Sequence, residues 1–240
     1  MSLLHAADIG DLTDVYIYLR EGLDPNIRDV SGNTPLILAS RRGYTDIVRL
    51  LLDNGAHPNT QDNNDHSALD LASSSGYIDI VRLLLDNGAY PDMKDIHGYT
   101  PLMKASDRGY VDIVRLLLDY NADVNIQNKY GSTALMKASY YGHIEVVRLL
   151  LDHGVDIDIQ DKYGSTALMK ASDRGYVEVV RLLLDRGADP NIEGIFRIKA
   201  YDLARKPEIQ YLLTSSSLYN TRHRSRSYMH PGYSDIDISF

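Results

Sequence analysis

An acidic residue and an arginine recur three positions apart at regular intervals, and no other pattern in this sequence is as suggestive of chemistry. The acidic members are Asp46, Asp79, Asp112, Glu145 and Glu178, and the basic members are Arg49, Arg82, Arg115, Arg148 and Arg181. Such pairs are suited to acid–base work or to binding an anion. The same spacing also joins side chains on one helix face, at about 0.2–0.5 kcal/mol per pair. We interpret the series as a solvated structural ladder, since exposed ion pairs are commonly structural.

Motifs of the common enzyme and cofactor classes are missing. The sequence has no G-x-x-x-x-G-K-[ST], G-x-G-x-x-G, H-E-x-x-H or EF-hand pattern. No two histidines stand three or four residues apart, as a metal pair on one helix would require. Cysteine is absent, which excludes disulfides, thiolate catalysis and cysteine-ligated zinc. We predict that the protein is not an enzyme and needs no cofactor or metal.

The composition of the chain limits which classes of partner it would bind and in which cellular compartment we expect it. The 240 residues carry a formal net charge of -8 and are 44% hydrophobic. This charge disfavours general attraction to nucleic acid or to anionic membranes. No apolar run approaches the ~20 residues that span a bilayer, and the first residues lack the pattern of a signal peptide. We expect a monomeric, intracellular protein of the cytoplasm, with the nucleus as the alternative.

A 33-residue repeat dominates the sequence. Its first full copy reads DVSGNTPLILASRRGYTDIVRLLLDNGAHPNTQ, and the copies begin at Asp29, Asp62, Asp95, Asn128 and Asp161. In the first copy Thr34 and Pro35 are suited to start a helix, and Gly43 is suited to end it. A second helix is predicted over 45–53, and its broad apolar face requires neighbouring copies to cover it.

The repeat resembles the ankyrin repeat. The segments 32–36 (GNTPL) and 50–56 (LLLDNGA) carry this resemblance, and five copies in register make it specific. It implies an all-α ankyrin-repeat solenoid of stacked helix-turn-helix units with projecting β-turns. The closeness of the copies and the residue bias also resemble ankyrin proteins of large DNA viruses. In the second copy Asp65 replaces the turn glycine and Ser67 replaces threonine, so we expect a looser turn there.

The resemblance sets the expected domain boundaries. The ankyrin domain is predicted over 1–213, with an N-terminal cap, five full repeats and a C-terminal cap at 1–28, 29–61, 62–94, 95–127, 128–160, 161–193 and 194–213. Both caps are expected to have a more polar outer face than the repeats. Residues 214–240 are predicted to form a disordered tail, because their composition becomes polar and charged.

Candidate binding residues lie where the copies differ. In ankyrin proteins the turn and the end of the first helix line a concave surface that contacts partners. Carried over residue by residue, the resemblance implies a partner-binding set of Arg41, Arg42, His66, Tyr99, Arg108, Lys129, Tyr130, Tyr140, Tyr141, Lys162, Tyr163 and Arg174. Tyrosine and arginine are enriched among binding hot spots. The alternative is ordinary surface tyrosine in a chain that has 18 tyrosines.

Two further series recur at fixed repeat positions. Four tyrosines that follow a glycine are predicted to pack at the helix–helix turn, namely Tyr44, Tyr77, Tyr110 and Tyr176. Three lysines of the first helix, Lys104, Lys137 and Lys170, are expected to align as a positive row. This row would meet an acidic partner segment or remain solvated, and the sequence leaves both interpretations open.

The resemblance implies a protein–protein interaction module that binds a protein on its concave surface. The alternative is an adaptor that recruits a modifying enzyme, such as a ubiquitin ligase, to a bound target. A further alternative is nucleic-acid contact through the arginine-rich tail segment 222–226. Phosphorylation of Ser225 beside these arginines would reverse the local charge, and an unselected flexible terminus is the remaining interpretation.

Overall fold

The computed structural model describes the backbone of residues 2–226 and the side chains of residues 2–216. This part of the chain consists of helices, turns and one isolated bridge between Gln61 and Ser67, without strands. The predicted all-α solenoid is confirmed. No helix in the described range has both the length and the apolar character needed to cross a membrane.

The helices follow one another in antiparallel pairs. These are Leu3–Ile9 (α1) with Leu12–Arg20 (α2), Pro35–Arg42 (α3) with Thr45–Asp53 (α4), Ala68–Ser75 (α5) with Ile78–Asp86 (α6), Pro101–Arg108 (α7) with Val111–Asp119 (α8), Ala134–Tyr141 (α9) with Ile144–Asp152 (α10), Ala167–Arg174 (α11) with Val177–Asp185 (α12), and Ala200–Leu203 (α13) with Pro207–Arg226 (α14). The first helix of each pair packs on the first helix of the next, and the second helices pack likewise. The result is an inner and an outer layer of stacked helices.

Local sequence explains where the inner helices begin and end. Thr34 Oγ1 accepts the backbone N–H of Ile37 at 3.3 Å, and Ser67 Oγ accepts that of Asp70 at 3.1 Å. These bonds satisfy donors that a helix start leaves unpaired. At the other end Gly43 has φ 85°, the left-handed conformation that the sequence predicts.

Consecutive units meet where an aromatic ring lies on the glycine that ends the preceding inner helix. A Cβ atom on Gly43 would lie 2.7 Å from Cζ of Tyr77, and one on Gly10 would lie 2.7 Å from Cζ of Tyr44. The contact recurs between Gly76 and Tyr110, Gly109 and His143, and Gly142 and Tyr176. Glycine is therefore needed both for its backbone conformation and for the approach of the ring. The tyrosine series is structural, and its rings join one unit to the next.

Six turns project from the solenoid, and we call them fingers 1 to 6. They occupy residues 27–34, 60–67, 93–100, 126–133, 159–166 and 192–199. In fingers 1 to 5 an Asp or Asn side chain organises the turn; Asp161 Oδ1, for example, accepts the backbone N–H groups of Tyr163 and Ser165, each at 2.9 Å. Neighbouring fingers are also bonded through their backbones, since Lys162 N–H donates to the Tyr130 carbonyl at 3.0 Å. The fingers are thus fixed relative to one another.

The turn of the second copy is not looser than the others, which corrects the sequence-based expectation. The Asp62 N–H donates to the His66 carbonyl and the Asp65 N–H to the Asp62 carbonyl, each at 3.0 Å. Asp65 keeps the conformation of the missing glycine, with φ 59°. The substitution is therefore absorbed as backbone strain rather than as a change of turn geometry.

The N-terminal cap carries a polar residue at one position that is apolar in the repeats. Asp14 stands where the next unit buries Ile47, as a polar cap requires. The exposed Leu12 and Tyr16 of α2 line a groove with Asp46, Arg49 and Leu50 of the next unit. The more polar outer face of the cap stays a prediction.

The last helix continues past the predicted domain boundary. Ile209 and Leu213 of α14 are buried against the solenoid, and the helix then runs on through 214–226, inside the segment predicted as a disordered tail. Hydroxyls of this stretch bond to the helix itself, as when Thr214 donates to the Gln210 carbonyl at 2.8 Å. Residues 227–240, the rest of the predicted tail, lie outside the described residues.

Five buried serines occupy one position of the inner helices. They are Ser40, Ser73, Ser106, Ser139 and Ser172, each fully buried with a hydroxyl that lacks a hydrogen-bond partner. A buried unsatisfied hydroxyl costs about 1–3 kcal/mol. We therefore predict that Ser106→Ala stabilises the protein by up to about 1 kcal/mol, measured by thermal unfolding. Ser67→Ala is the matched control: it removes the cap of α5 and should destabilise by about 1 kcal/mol. A loss of stability in Ser106→Ala would show that its hydroxyl has a partner.

The strained turn gives a second stability prediction. Asp65→Gly should stabilise the protein by about 0.5–1 kcal/mol, because glycine adopts a positive φ without strain. Chemical unfolding of the full chain measures the effect. The reverse exchange in the third copy, Gly98→Asp, should be destabilising, since Gly98 has φ 80° and its Cβ would approach Lys129 N to 3.0 Å. An unchanged or lower stability of Asp65→Gly would contradict the strain argument.

Candidate protein-binding surface

The inner helices and fingers of the second to fourth copies enclose a pocket of about 450 Å³. We call the side of the solenoid that these elements line the concave surface. Four of the predicted binding residues meet in this pocket, namely His66, Tyr99, Arg108 and Tyr141. Two of them come from fingers and two from the ends of inner helices, so that stacking joins residues that are up to 75 positions apart. Ser74 and His97 also line the pocket.

The predicted arginines differ in their partners. Arg42 Nε donates to Asp8 Oδ1 at 3.1 Å, and the Arg174 guanidinium lies 4.3 Å from the centre of the Tyr140 ring. In both cases the partner is the residue 34 positions earlier in the chain. For Arg108 this residue is Ser74, whose hydroxyl donates instead to the Leu71 carbonyl. Arg108 is exposed, and no carboxylate of the described residues pairs with it.

Arg41 is held within its own part of the surface. Its guanidinium donates to Asn33 Oδ1 at 2.8 Å and lies 3.6 Å from Asp62 Oδ2. The same Asp62 oxygen lies 3.3 Å from Nδ1 of His66. These contacts join the first two copies and leave Arg41 less available to a partner than Arg108.

Tyr141 lines the pocket on the side of the fourth copy, and Tyr140 lies next to it outside the pocket. Their rings meet edge to face with centroids 5.0 Å apart, and Tyr141 also stacks on His143 at 6.1 Å. Tyr141 remains 43% exposed, whereas Tyr140 is half-buried beneath Arg174. The remaining predicted residues, Lys129, Tyr130, Lys162 and Tyr163, lie apart from the pocket on fingers 4 and 5.

A buried ion cluster lies beneath the pocket. Lys104 Nζ is 2.8 Å from Oδ2 of Asp70 and 2.8 Å from Oδ2 of Asp95. Burial raises the pKa of Asp70 more than Lys104 lowers it. Burial also acts to raise the pKa of Asp95, but bonds from Lys104 and from the backbone N–H groups of Tyr99 and His97 lower it overall. The pKa of Lys104 is raised, because its two carboxylates outweigh the effect of burial.

Among the described residues, we find one group of three His and Asp side chains close enough to hold a metal ion, and two of the three belong to this cluster. Atoms of His66, Asp70 and Asp95 lie within 4.8 Å of one another. However, the Lys104 ammonium occupies the space between the two carboxylates, where a cation would have to bind. We therefore assign these residues to an internal ion pair rather than to a metal site.

The predicted lysine row is neither solvated nor open to an acidic partner. Lys170 Nζ lies 2.7 Å from Asp161 Oδ2, which places it in an ion pair like that of Lys104. Lys137 Nζ lies 3.5 Å from Asp107 Oδ1 and 4.9 Å from the centre of the Tyr99 ring. Both sequence-based interpretations are wrong, because fingers and preceding inner helices supply aspartates that the repeat pattern alone did not connect to the lysines. Asp95 and Asp161 come from fingers, and Asp70 and Asp107 come from the preceding inner helices.

The acid–arginine series of the outer helices forms ion pairs only where the acid is glutamate. Glu145 and Arg148 lie 3.7 Å apart, and Glu178 and Arg181 lie 3.9 Å apart. No such pair within 4.0 Å forms in the described structure of the three copies that carry aspartate. The reason is side-chain length, since aspartate is one methylene shorter. The structural interpretation of the series fits this weak, exposed geometry.

Comparison with known proteins agrees with the repeat geometry. A family model described as "Ankyrin repeats (3 copies)" matches residues 3–95, 92–128 and 102–193, most of the chain. This chain belongs to the ankyrin-repeat family. Among solved structures, the human ASB11 ankyrin repeat domain superposes with a TM-score of 0.79 at 27% identity, covering 90% of this chain and 97% of that one. The ankyrin repeat domain of Bcl-3, described as a unique member of the IkappaB protein family, gives 0.78 at 30% identity, covering 89% and 98%.

A curated relative is also an ankyrin protein. A putative ankyrin repeat-containing protein of Treponema pallidum (strain Nichols) is 42% identical over 52 residues, which are 22% of this chain and 17% of that protein. Because the match covers so little of the relative, it supports the repeat alone. The resemblance to ankyrin proteins of large DNA viruses stays a prediction.

Two features of this ankyrin surface were missed from the sequence. Asp70 stands where the other copies have Ile37, Met103, Met136 and Met169, so an acid at a buried apolar position was the available signal. Finger 6 continues the repeat into the C-terminal cap and places Ile195, Phe196 and Arg197 at turn positions, which extending the alignment by one unit would have revealed.

The buried pair gives a prediction that separates charge from packing. Lys104→Leu should cost about 3–5 kcal/mol, because it leaves Asp70 as an uncompensated buried charge. The double variant Asp70→Ile/Lys104→Leu gives each site the residue that the first copy has at that repeat position, Ile37 and Leu38, and we expect it to be at least as stable as the parent. Thermal unfolding of the parent, both single variants and the double variant completes the cycle. A double variant as unstable as Lys104→Leu would contradict the assignment.

Proposed function

We propose that the protein is a protein–protein interaction module that binds a protein partner on its concave surface through the pocket of the second to fourth copies. Ankyrin-repeat domains are typically non-catalytic scaffolds, and nothing in the comparisons or in the described residues indicates catalysis. The observation that carries the proposal is the unpaired Arg108 beside the exposed Tyr141 in a concave pocket.

The electrostatics of the pocket favour a directed polar contact. Its lysines are neutralised by Asp95 of finger 3 and by Asp107 at the end of the inner helix α7. Arg108 is left as the cation available to a partner. Arginine offers a rigid fork of donors that suits a carboxylate, and tyrosine adds a large contact area. A partner side chain that carries a carboxylate would enter this pocket with its charge on Arg108 and its apolar part against Tyr141.

The pocket is held in shape before binding. Backbone bonds join each finger to the next, and aromatic rings on glycines join each unit to the next. Little conformational freedom is therefore left to lose on binding, which favours affinity. A pocket of fixed shape can bind either a folded partner or an extended segment of a partner.

Two alternatives remain as proposals. In the adaptor alternative a bound ubiquitin ligase component would accompany the target, and it would co-purify with the full chain. In the nucleic-acid alternative the Arg222–Arg226 segment would give strongly salt-dependent binding that is lost when these arginines are replaced. A cytoplasmic, monomeric protein is the setting we propose, with the nucleus as the alternative.

The proposal predicts that partners depend on the pocket. We expect Arg108→Glu/Tyr141→Ala to lower the affinity for the principal partner at least about tenfold, the effect of losing one hot spot or more. Affinity purification from native cells with quantitative mass spectrometry identifies the partner, and titration of the purified pair measures the effect. Circular dichroism checks that each variant is folded.

A matched pair elsewhere on the surface provides the control. Tyr90→Ala/Arg115→Glu changes the same residue types outside the pocket, where Tyr90 is 65% exposed and Arg115 lies on the outer helix α8. This variant should retain the partners of the parent. If both variants retain the same partners at the same affinity, the concave pocket is not the binding site and the proposal fails.

A further inference from the structure

Fingers 4 to 6 differ in chemistry from fingers 1 to 3. At the two outermost turn positions the first three fingers have Val30-Ser31, Asn63-Asn64 and Ile96-His97, whereas the last three have Lys129-Tyr130, Lys162-Tyr163 and Ile195-Phe196, followed by Arg197. We call these last seven residues the fingertip ridge. The ridge combines one aromatic ring per finger with three cations.

The aromatic side chains of the ridge are left open to solvent. Tyr130 is 47% exposed, Tyr163 is 63% exposed and Phe196 is 90% exposed. None of the cations Lys129, Lys162 and Arg197 has an ion-pair partner among the described residues, in contrast to the lysines beneath the pocket. An exposed apolar surface with unpaired charge of one sign is the composition of a binding site rather than of an inert surface.

Backbone bonds align the three fingertips. The Lys162 N–H donates to the Tyr130 carbonyl at 3.0 Å, and the Ile195 N–H donates to the Tyr163 carbonyl at 3.2 Å. The ladder therefore runs through the residues that carry the aromatic rings. Consecutive inner helices pack about 8–10 Å apart, and we take this interval as the expected spacing of the fingers that they carry.

The backbone of finger 6 is strained at two of the ridge residues. Phe196 and Arg197 both have φ 60°, although neither is glycine. Fingers 4 and 5 have Gly131 and Gly164 at the position of Arg197. Two consecutive left-handed residues favour Asn-Gly, and side chains such as these cost about 1–3 kcal/mol each. Strained residues of this kind cluster at binding sites, which supports a role of these two side chains in binding.

We propose that the fingertip ridge is a docking surface for an extended acidic protein segment with apolar residues between its acids. The inference goes beyond the concave pocket and rests on the proposed function only in that the partner is a protein. Charge complementarity to the three unpaired cations selects the acids, and the exposed rings select the apolar residues. An extended chain advances about 3.3–3.4 Å per residue, so one acid about every three residues matches the spacing of the fingers.

The acidic protein segment is favoured over a nucleic acid by the charge of the whole molecule. The net charge of -8 repels the long uniform negative charge of a nucleic acid. A short acidic segment meets only the local positive charge of the fingertips. Single-stranded nucleic acid, which stacks its bases on aromatic rings, is therefore an outcome to be tested rather than the proposed occupant.

Selection from a random peptide library on the immobilised full chain tests the inference. We expect enrichment of peptides with acids about three residues apart and apolar residues between them. The affinity of the best peptide should fall at least tenfold in Lys129→Glu/Lys162→Glu/Arg197→Glu and should weaken as salt is raised. Enrichment of basic or neutral peptides, no enrichment, or equal affinity in this variant would overturn the proposal, as would tighter binding of a single-stranded oligonucleotide such as oligo(dT).

A second variant separates binding from folding. Phe196→Asn/Arg197→Gly gives the turn its preferred residues, so it should raise the melting temperature and yet lower the peptide affinity at least tenfold. Unchanged peptide affinity in this variant would overturn the ridge proposal.

Two other variants test for different binding sites. If peptide binding is lost only in Arg108→Glu/Tyr141→Ala, the peptides bind in the pocket, so the ridge proposal fails and the proposed function stands. A rise in peptide affinity in Asp235→Lys/Asp237→Lys would make the tail of the chain the occupant, which also overturns the proposal.

Discussion

The apolar contact between consecutive units is the interaction on which the rest of the structure depends. One pair of helices of eight or nine residues has two apolar faces and cannot cover either by itself. Stacking buries Leu36, Ala39, Val48 and Leu51 of the first copy and the corresponding residues of the others. The spacing of the units, the alignment of the fingers and the curvature of the binding surface all follow from this contact. Equivalent finger and inner-helix positions of successive copies therefore follow one another along the concave surface.

The buried polar groups show how much variation this contact tolerates. Five serine hydroxyls lie in the inner layer without a partner, and Asp70 replaces an apolar residue at the interface of the second and third units. Asp70 is accommodated because the next unit supplies Lys104 at 2.8 Å. A buried charged residue is thus tolerated when the neighbouring unit provides an oppositely charged partner, since each unit contacts only its neighbours. The same rule leaves Arg108 unpaired, because the preceding unit offers Ser74 in the place where other units offer an acid or an aromatic ring.

The concave pocket and the fingertip ridge use one scaffold in different ways. In the pocket most charges are compensated within the chain, and the remaining contacts are directed by a few exposed groups. On the ridge the cations and rings are uncompensated and repeat with the period of the solenoid. A protein partner long enough to follow several fingers would contact both surfaces, because the fingers form the rim of the concave side. Finger 6 is the last finger of the ridge, and its residues Phe196 and Arg197 have strained backbone conformations.

The sequence by itself determined the fold and the repeat positions of the residues that we predict to bind a partner. A regular period, hydroxyl residues before the inner helices and glycines after them specify the helix pairs, because capping and left-handed turns are local properties of the chain. The partner of each side chain was decided only by the tertiary structure. Whether Lys104 is open or paired depends on whether the preceding unit places Asp70 within 3 Å of its ammonium group. Such contacts are set by distances across the stack, which the order of residues within one unit does not contain.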